Sequence, residues 1–147
     1  MVRILAAWLL LIGSAAAQER VDVQSRPGVT QSVFITAVAN PNASVLLFPG
    51  GGGVYAQSRN NFLLRIAPQF TAAGMMVAVF DTPSDHPNGM GPSFRASTQH
   101  AADIAAIVEL LKSRTSARLW LVGTSNGSIS AAEGAAVVGL RASPARC

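Results

Sequence analysis

Ser125 stands in the run Gly123-Thr124-Ser125-Asn126-Gly127. Gly-X-Ser-X-Gly is a spacing suited to nucleophilic acyl transfer when a strand precedes it and a helix follows. The chemistry needs a hydroxyl held out from a very tight strand-to-helix turn. Chain passes so close to that turn that side chains two positions before and after the serine would clash, which is where the glycines fall. The helix start beneath also offers free N–H groups to a developing negative charge. A plainer account of the same residues is an ordinary turn in which Ser125 and Asn126 cap the next helix.

A nucleophilic serine needs a base, and His86 is the candidate. It shares the loop at residues 81–93 with Asp81 and Asp85. Triads are defined by geometry rather than chain order, so Ser125, His86 and an aspartate form a conceivable set. A solvated polar loop, or part of a substrate pocket, is the bland alternative. His100 opens a helix and reads as structural. No histidine follows Ser125, and the one acidic residue after it, Glu133, falls inside a helix. Asp81, Asp85 and His86 match no zinc-ligand spacing, and no metal or cofactor is expected.

The elements that must carry these residues follow from patterning. Residues 20–24 and 33–38 alternate apolar and polar, as a hairpin around Pro27-Gly28 would. Residues 45–48, 75–80 and 118–122 are short apolar runs, the pattern of strands covered on both faces. Helical spacing occupies 61–73, where Pro68 should kink or shorten the helix, and 96–113, where Ile104, Ile107, Val108 and Leu111 form one stripe. The Ala-rich stretch 128–140 is the third helix. Strand-helix alternation of this kind predicts an α/β fold: a mostly parallel sheet with flanking helices, preceded by an antiparallel hairpin.

Of the 147 residues half are apolar and 12% charged, a balance that favours one packed domain over a disordered chain. The net charge of +4 is scattered rather than gathered into a stripe, so no nucleic-acid partner is expected. Arg3, an apolar run over residues 4–12 and Ala15-Ala16-Ala17 make a secretory leader over residues 1–17, with the domain at 18–147. The run is too short to span a bilayer. The mature chain should be periplasmic or secreted, and free of the membrane. Cys147 is the lone cysteine, so no internal disulfide is possible.

Phe48-Pro49-Gly50-Gly51-Gly52-Gly53 after one strand and Gly123-Thr124-Ser125-Asn126-Gly127 after another resemble the oxyanion loop and nucleophile elbow of the α/β-hydrolase superfamily. The resemblance covers about residues 20–140. It implies that Ser125 attacks an ester, amide or thioester carbonyl of a small acyl substrate. The N–H of Asn126 would hold the oxyanion with a second from residues 51–54, Gly52 and Gly53 being the residues to watch. Many members have His before the glycines, where this chain has Pro49. The family's acid and histidine follow the serine along the chain. The expectation is therefore an N-terminal half of such a domain, from a truncated or frame-shifted product without activity, or catalysis by other groups. Residues 119–122 would then form an exposed sheet edge, which invites self-association.

Two other classes fit parts of the sequence. Gly51-Gly52-Gly53-Val54-Tyr55-Ala56 matches Gly-X-Gly-X-X-Ala after a strand, and Asp81 could bind a ribose, which would make a dinucleotide-binding unit. Asp81 lies well beyond the separation of about 20 residues usual for that acid. An exported, non-catalytic binding module is the third reading.

Overall fold

A computed structural model describes residues 17–142. The leader and Cys147 lie outside these residues, apart from Ala17 at the leader's end. Among the described residues, no helix is long and apolar enough to cross a membrane.

Five strands form one sheet: β1 (Gln18–Arg26), β2 (Val29–Thr36), β3 (Ala43–Phe48), β4 (Met75–Pro83) and β5 (Leu119–Gly123), in the order β1-β2-β4-β3-β5. The hairpin turns at Gly28, whose φ of 71° suits glycine. β3 runs parallel to both β4 and β5, whereas β2 is antiparallel to β1 and to β4. The sheet is therefore mixed rather than mostly parallel. The hairpin is not a separate feature but its first two strands, because Val33 and Ile35 are fully buried beside Phe80 and Ala78 of β4.

Every residue of β3 is buried, Ser44 included, as fits an interior strand covered on both faces. Successive side chains alternate between faces. Leu46, Phe48, Ala78 and Phe80 pack with Ile104, Ile107, Val108 and Leu111 of α3 (Thr98–Arg114). Val45, Leu47, Val77 and Val79 pack with Leu63 of α1 (Phe62–Ala72) on the other face. α1 starts at a cap in which Asn61 accepts the Leu63 N–H. It continues through Pro68, so of the two expected effects, a kink or a shortened helix, the shortening does not occur. Residues 81–93 are only partly loop: β4 extends to Pro83, and Pro92–Arg95 form the short helix α2. α4 (Gly127–Ala142) lies on the α3 face, where Ala131 and Val138 join the core.

The chain moves one way across the sheet from β3 to β4, then back past β3 to β5. With crossovers of one hand, that reversal puts α1 and α3 on opposite faces. The connections leaving β3 and β5 therefore part to opposite sides, and a crevice opens at the carboxyl ends of these neighbours. The glycine loop and Ser125 both sit there.

The α3 face also buries polar groups. His100 is fully buried, edge-on to Phe80 with ring centroids 5.4 Å apart, and its Nε2 lies 2.8 Å from Ser130 Oγ of α4. Burial, reinforced by the positive charge of Arg95, pushes the imidazole from 6.5 to about 4. Between those values the unfolded chain binds a proton that the folded chain refuses. Stability is therefore lost as pH falls through that window, by roughly 3 kcal/mol in all. Asp22 and Asp85, held below the ordinary carboxylate value by their hydrogen bonds from Ser32 and Arg26, contribute only at lower pH. The Tm should fall from pH 7 to pH 4, and His100→Gln should flatten that fall; equal slopes in thermal melts of the two proteins would assign the loss elsewhere.

Candidate active site

β5 ends at Gly123, α4 begins at Gly127, and the three residues between reverse the chain. Ser125 is one of two non-glycine residues with positive φ among those described, at 51°. An L-residue there is strained by about 1–2 kcal/mol. The glycines around it are obligatory. A Cβ on Gly123 would lie 2.2 Å from the Gly127 carbonyl oxygen, and one on Gly127 would lie 2.0 Å from the Phe48 carbonyl oxygen. Turn bonds close the elbow: Gly127 N–H donates to Thr124 O at 2.8 Å, and Ser128 N–H to Ser125 O at 2.9 Å.

Ser125 is exposed, and its hydroxyl has no hydrogen-bond partner among the described residues. A helix-capping serine would have extended φ and accept an N–H from the first turn. Ser125 does neither, so the plainer account of these residues is not realised. Asn126 places its side-chain amide 3.5 Å from Gly51 O, and its backbone N–H meets no acceptor among the described residues.

The glycine loop lies against the elbow. A Cβ on Gly50 would fall 3.1 Å from Ser125 Cβ. Gly51 and Gly53 have φ of 61° and 76°, which makes the tight bend possible. The carbonyls of residues 49–52 are all taken. Arg95 Nη2 donates to Pro49 O and Gly51 O at 3.2 and 3.3 Å, Gly53 N–H to Gly50 O at 3.2 Å, and Met90 N–H to Gly52 O at 2.8 Å. In a trans peptide the N–H points opposite to its carbonyl. Drawing Gly51 O inward therefore turns the Gly52 N–H outward, where it meets no acceptor among the described residues. The two glycines picked from sequence thus differ: the Gly53 amide closes the turn, and the Gly52 amide is free. A hollow of about 270 Å³ adjoins the loop, lined by Gly50 to Val54, Gln57, Ser58 and Asn61. A larger apolar one of about 810 Å³, between Ala37–Ala39 and α1, lies at the opposite ends of the strands and has no part in this chemistry.

His86 is near the loop but engaged elsewhere. Its ring stacks on Phe94 at 3.7 Å, and Nδ1 lies 3.1 Å from Asp85 Oδ1. Asp85 is in turn gripped at two 3.0 Å contacts by Arg26, which also binds the buried Asp103 of α3. No hydrogen bond joins His86 to Ser125. Asp81, considered above as a ribose ligand, accepts the N–H of Tyr55 at 2.9 Å and of Thr82 at 2.8 Å, and so anchors the exit of the glycine loop. That exit is a 3₁₀ turn at Tyr55–Gln57, and α1 begins only at Phe62. The glycines therefore do not open a helix, as a dinucleotide fingerprint requires. Among the described residues, no cluster of His, Cys, Asp and Glu could hold a metal.

Sequence reasoning missed Arg95 and Ser130. Both are fully buried and joined at 2.7 Å beneath the glycine loop. Neither belongs to a motif or an apolar stripe, and only the folded chain brings them together.

No family model matches the sequence, and no curated protein does. Solved structures do. DcsB, in complex with its substrate analogue, superposes with a TM-score of 0.61 at 23% identity, over 81% of this chain and 41% of that one. A cold-adapted esterase from an Arctic intertidal metagenomic library gives 0.59 at 17%, over 81% and 55%. A lidless α/β serine hydrolase from Xanthomonas campestris gives 0.60 at 18%, over 88% and 60%. This chain thus spans about half the length of the proteins it resembles. At these identities the likeness is one of fold: an incomplete α/β-hydrolase core.

Strain kept at Ser125 has a measurable cost. Ser125→Gly should stabilise the chain by about 1 kcal/mol, because glycine takes φ of 51° freely. A loss of stability in urea titration would mean that the hydroxyl holds the turn together.

Proposed function

We propose that the chain is an exported serine hydrolase-like protein whose Ser125 attacks carboxyl esters or related small acyl substrates. The observation that carries this reading is the strained, exposed and unpartnered Ser125 on a glycine-flanked elbow, with the glycine loop against it. A substrate carbonyl carbon at Ser125 Oγ would have its oxygen between the N–H groups of Asn126 and Gly52. As the carbon turns tetrahedral, the negative charge on that oxygen is met by two amides already in place. The exported location rests on the leader pattern at residues 1–17.

Attack also requires a base to take the serine proton, and no described residue is hydrogen-bonded to the Ser125 hydroxyl. The sequence has no histidine after it. The absence of a base at the Ser125 hydroxyl among the described residues is the one observation that supports a non-catalytic binding module instead. A fluorophosphonate probe followed by intact-protein mass spectrometry tests the nucleophile. Slow labelling, abolished by Ser125→Ala and rising steadily with pH, is expected. Labelling that levels off with pH, and that His86→Ala abolishes, would instead identify His86 as an imidazole base. A folded chain that never labels would leave the elbow as architecture.

The proposal extends to assembly. β5 pairs only with β3 among the described residues, and its Trp120 is 53% exposed. An apolar edge of this kind favours pairing with a second copy. Sedimentation should show concentration-dependent association that Trp120→Lys weakens; a monomer at every concentration would overturn it.

A further inference from the structure

Arg95 is the largest fully buried side chain of the described residues. It sits at the end of α2, and among the described residues no carboxylate pairs with it. Its acceptors are Ser130 Oγ at 2.7 Å, Pro49 O at 3.2 Å, Gly51 O at 3.3 Å and Met90 O at 3.4 Å. Burying a cation without an anion is costly, and an apolar side chain of similar size would fill the space at less expense. Burial does disfavour the charge, yet a guanidinium stays protonated. The position is therefore explained by what the fork of donors does.

We propose that Arg95 is the positioning residue of the oxyanion site, bracing the glycine loop against the helix that follows Ser125. The inference rests on the reading of Ser125 as nucleophile. Two arms of the brace pull the Pro49 and Gly51 carbonyls inward, which leaves the Gly52 N–H facing the crevice. The third arm grips Ser130 on α4, itself held by His100 Nε2 at 2.8 Å. One planar group thus braces both the loop and the helix that carry the two amides, beneath the direct contact of the Asn126 side-chain amide with Gly51 O at 3.5 Å. Gly53 records the same constraint, because a Cβ there would lie 2.5 Å from Arg95 Nη2. The charge has no anion among the described residues until an oxyanion forms across the loop. Lysine cannot replace this group: it keeps the charge but lacks the flat fork that reaches loop and helix together.

The test compares the wild-type chain with Arg95→Lys and Ser130→Ala, the second removing only the α4 arm. Amide hydrogen exchange is read at Gly53 and Met90, whose N–H groups close the loop. The maximal rate and half-saturating concentration of fluorophosphonate labelling are read in parallel. Arg95→Lys should speed exchange at these two amides at least tenfold while the β3 and β4 amides are unchanged. It should also lower the maximal labelling rate at least tenfold, with little change in half-saturation. Ser130→Ala should give a smaller change of the same kind, and it decides the matter if Arg95→Lys does not fold. Wild-type exchange and labelling in the folded variants would overturn the proposal. If the wild-type chain itself never labels, the reading of Ser125 fails, and the exchange data alone judge whether Arg95 holds the loop.

Discussion

The end of β3 and the first turn of α4 meet backbone to backbone, and the rest of the site follows from that contact. Phe48 O lies where a side chain on residue 127 would have to be. No other residue type permits the approach, so glycine at 127 is a condition of the fold as much as of the chemistry. Once β3 and α4 touch there, the loop leaving β3 has nowhere to go but across the elbow. Its own glycines then let it turn within a few residues. Nucleophile and oxyanion loop come from distant parts of the chain, yet one steric contact brings them together.

The polar groups beneath the crevice solve a second problem. A loop of glycines has little side-chain packing to hold it and much conformational freedom to lose. Four carbonyls are fixed instead by donors from below, from Arg95, Met90 and the turn itself. Asp81 anchors the loop's exit through two backbone amides. Rigidity is supplied by hydrogen bonds to the main chain, so the outward amides are available without any side chain reaching into the crevice.

How much of this was legible in the sequence depends on whether the signal was local. The buried strands announced themselves as apolar runs, and the stripe of Ile104, Ile107, Val108 and Leu111 placed α3 to within two residues at its start. The elbow was legible because its glycines answer to steric demands a few residues away. The mixed character of the sheet was not, since the pairing of β2 with β4 depends on burial that no single strand reveals. Gly52 and Gly53 could not be told apart, because their amides are distinguished by which carbonyl Arg95 pulls on. Arg95 itself has no sequence signal: a lone arginine after Phe94 reads as solvated until the glycine loop, the Met90 segment and α4 close over it. Pro68 did not end the helix, as packing of α1 on the sheet outweighs one lost helical bond.

β3 lies inside the sheet between β4 and β5, and both of these neighbours come later in the chain. As the polypeptide emerges from the ribosome, Val45-Leu46-Leu47-Phe48 is made well before β4 and longer still before β5. For that interval a strand destined for complete burial has no native partner, and its contacts, once made, span long stretches of sequence. Chains of this topology fold slowly and expose sticky surface while they do so. A central strand that must wait for its partners gives cellular chaperones a defined target: residues 45–48, held apart until residue 123 has been made.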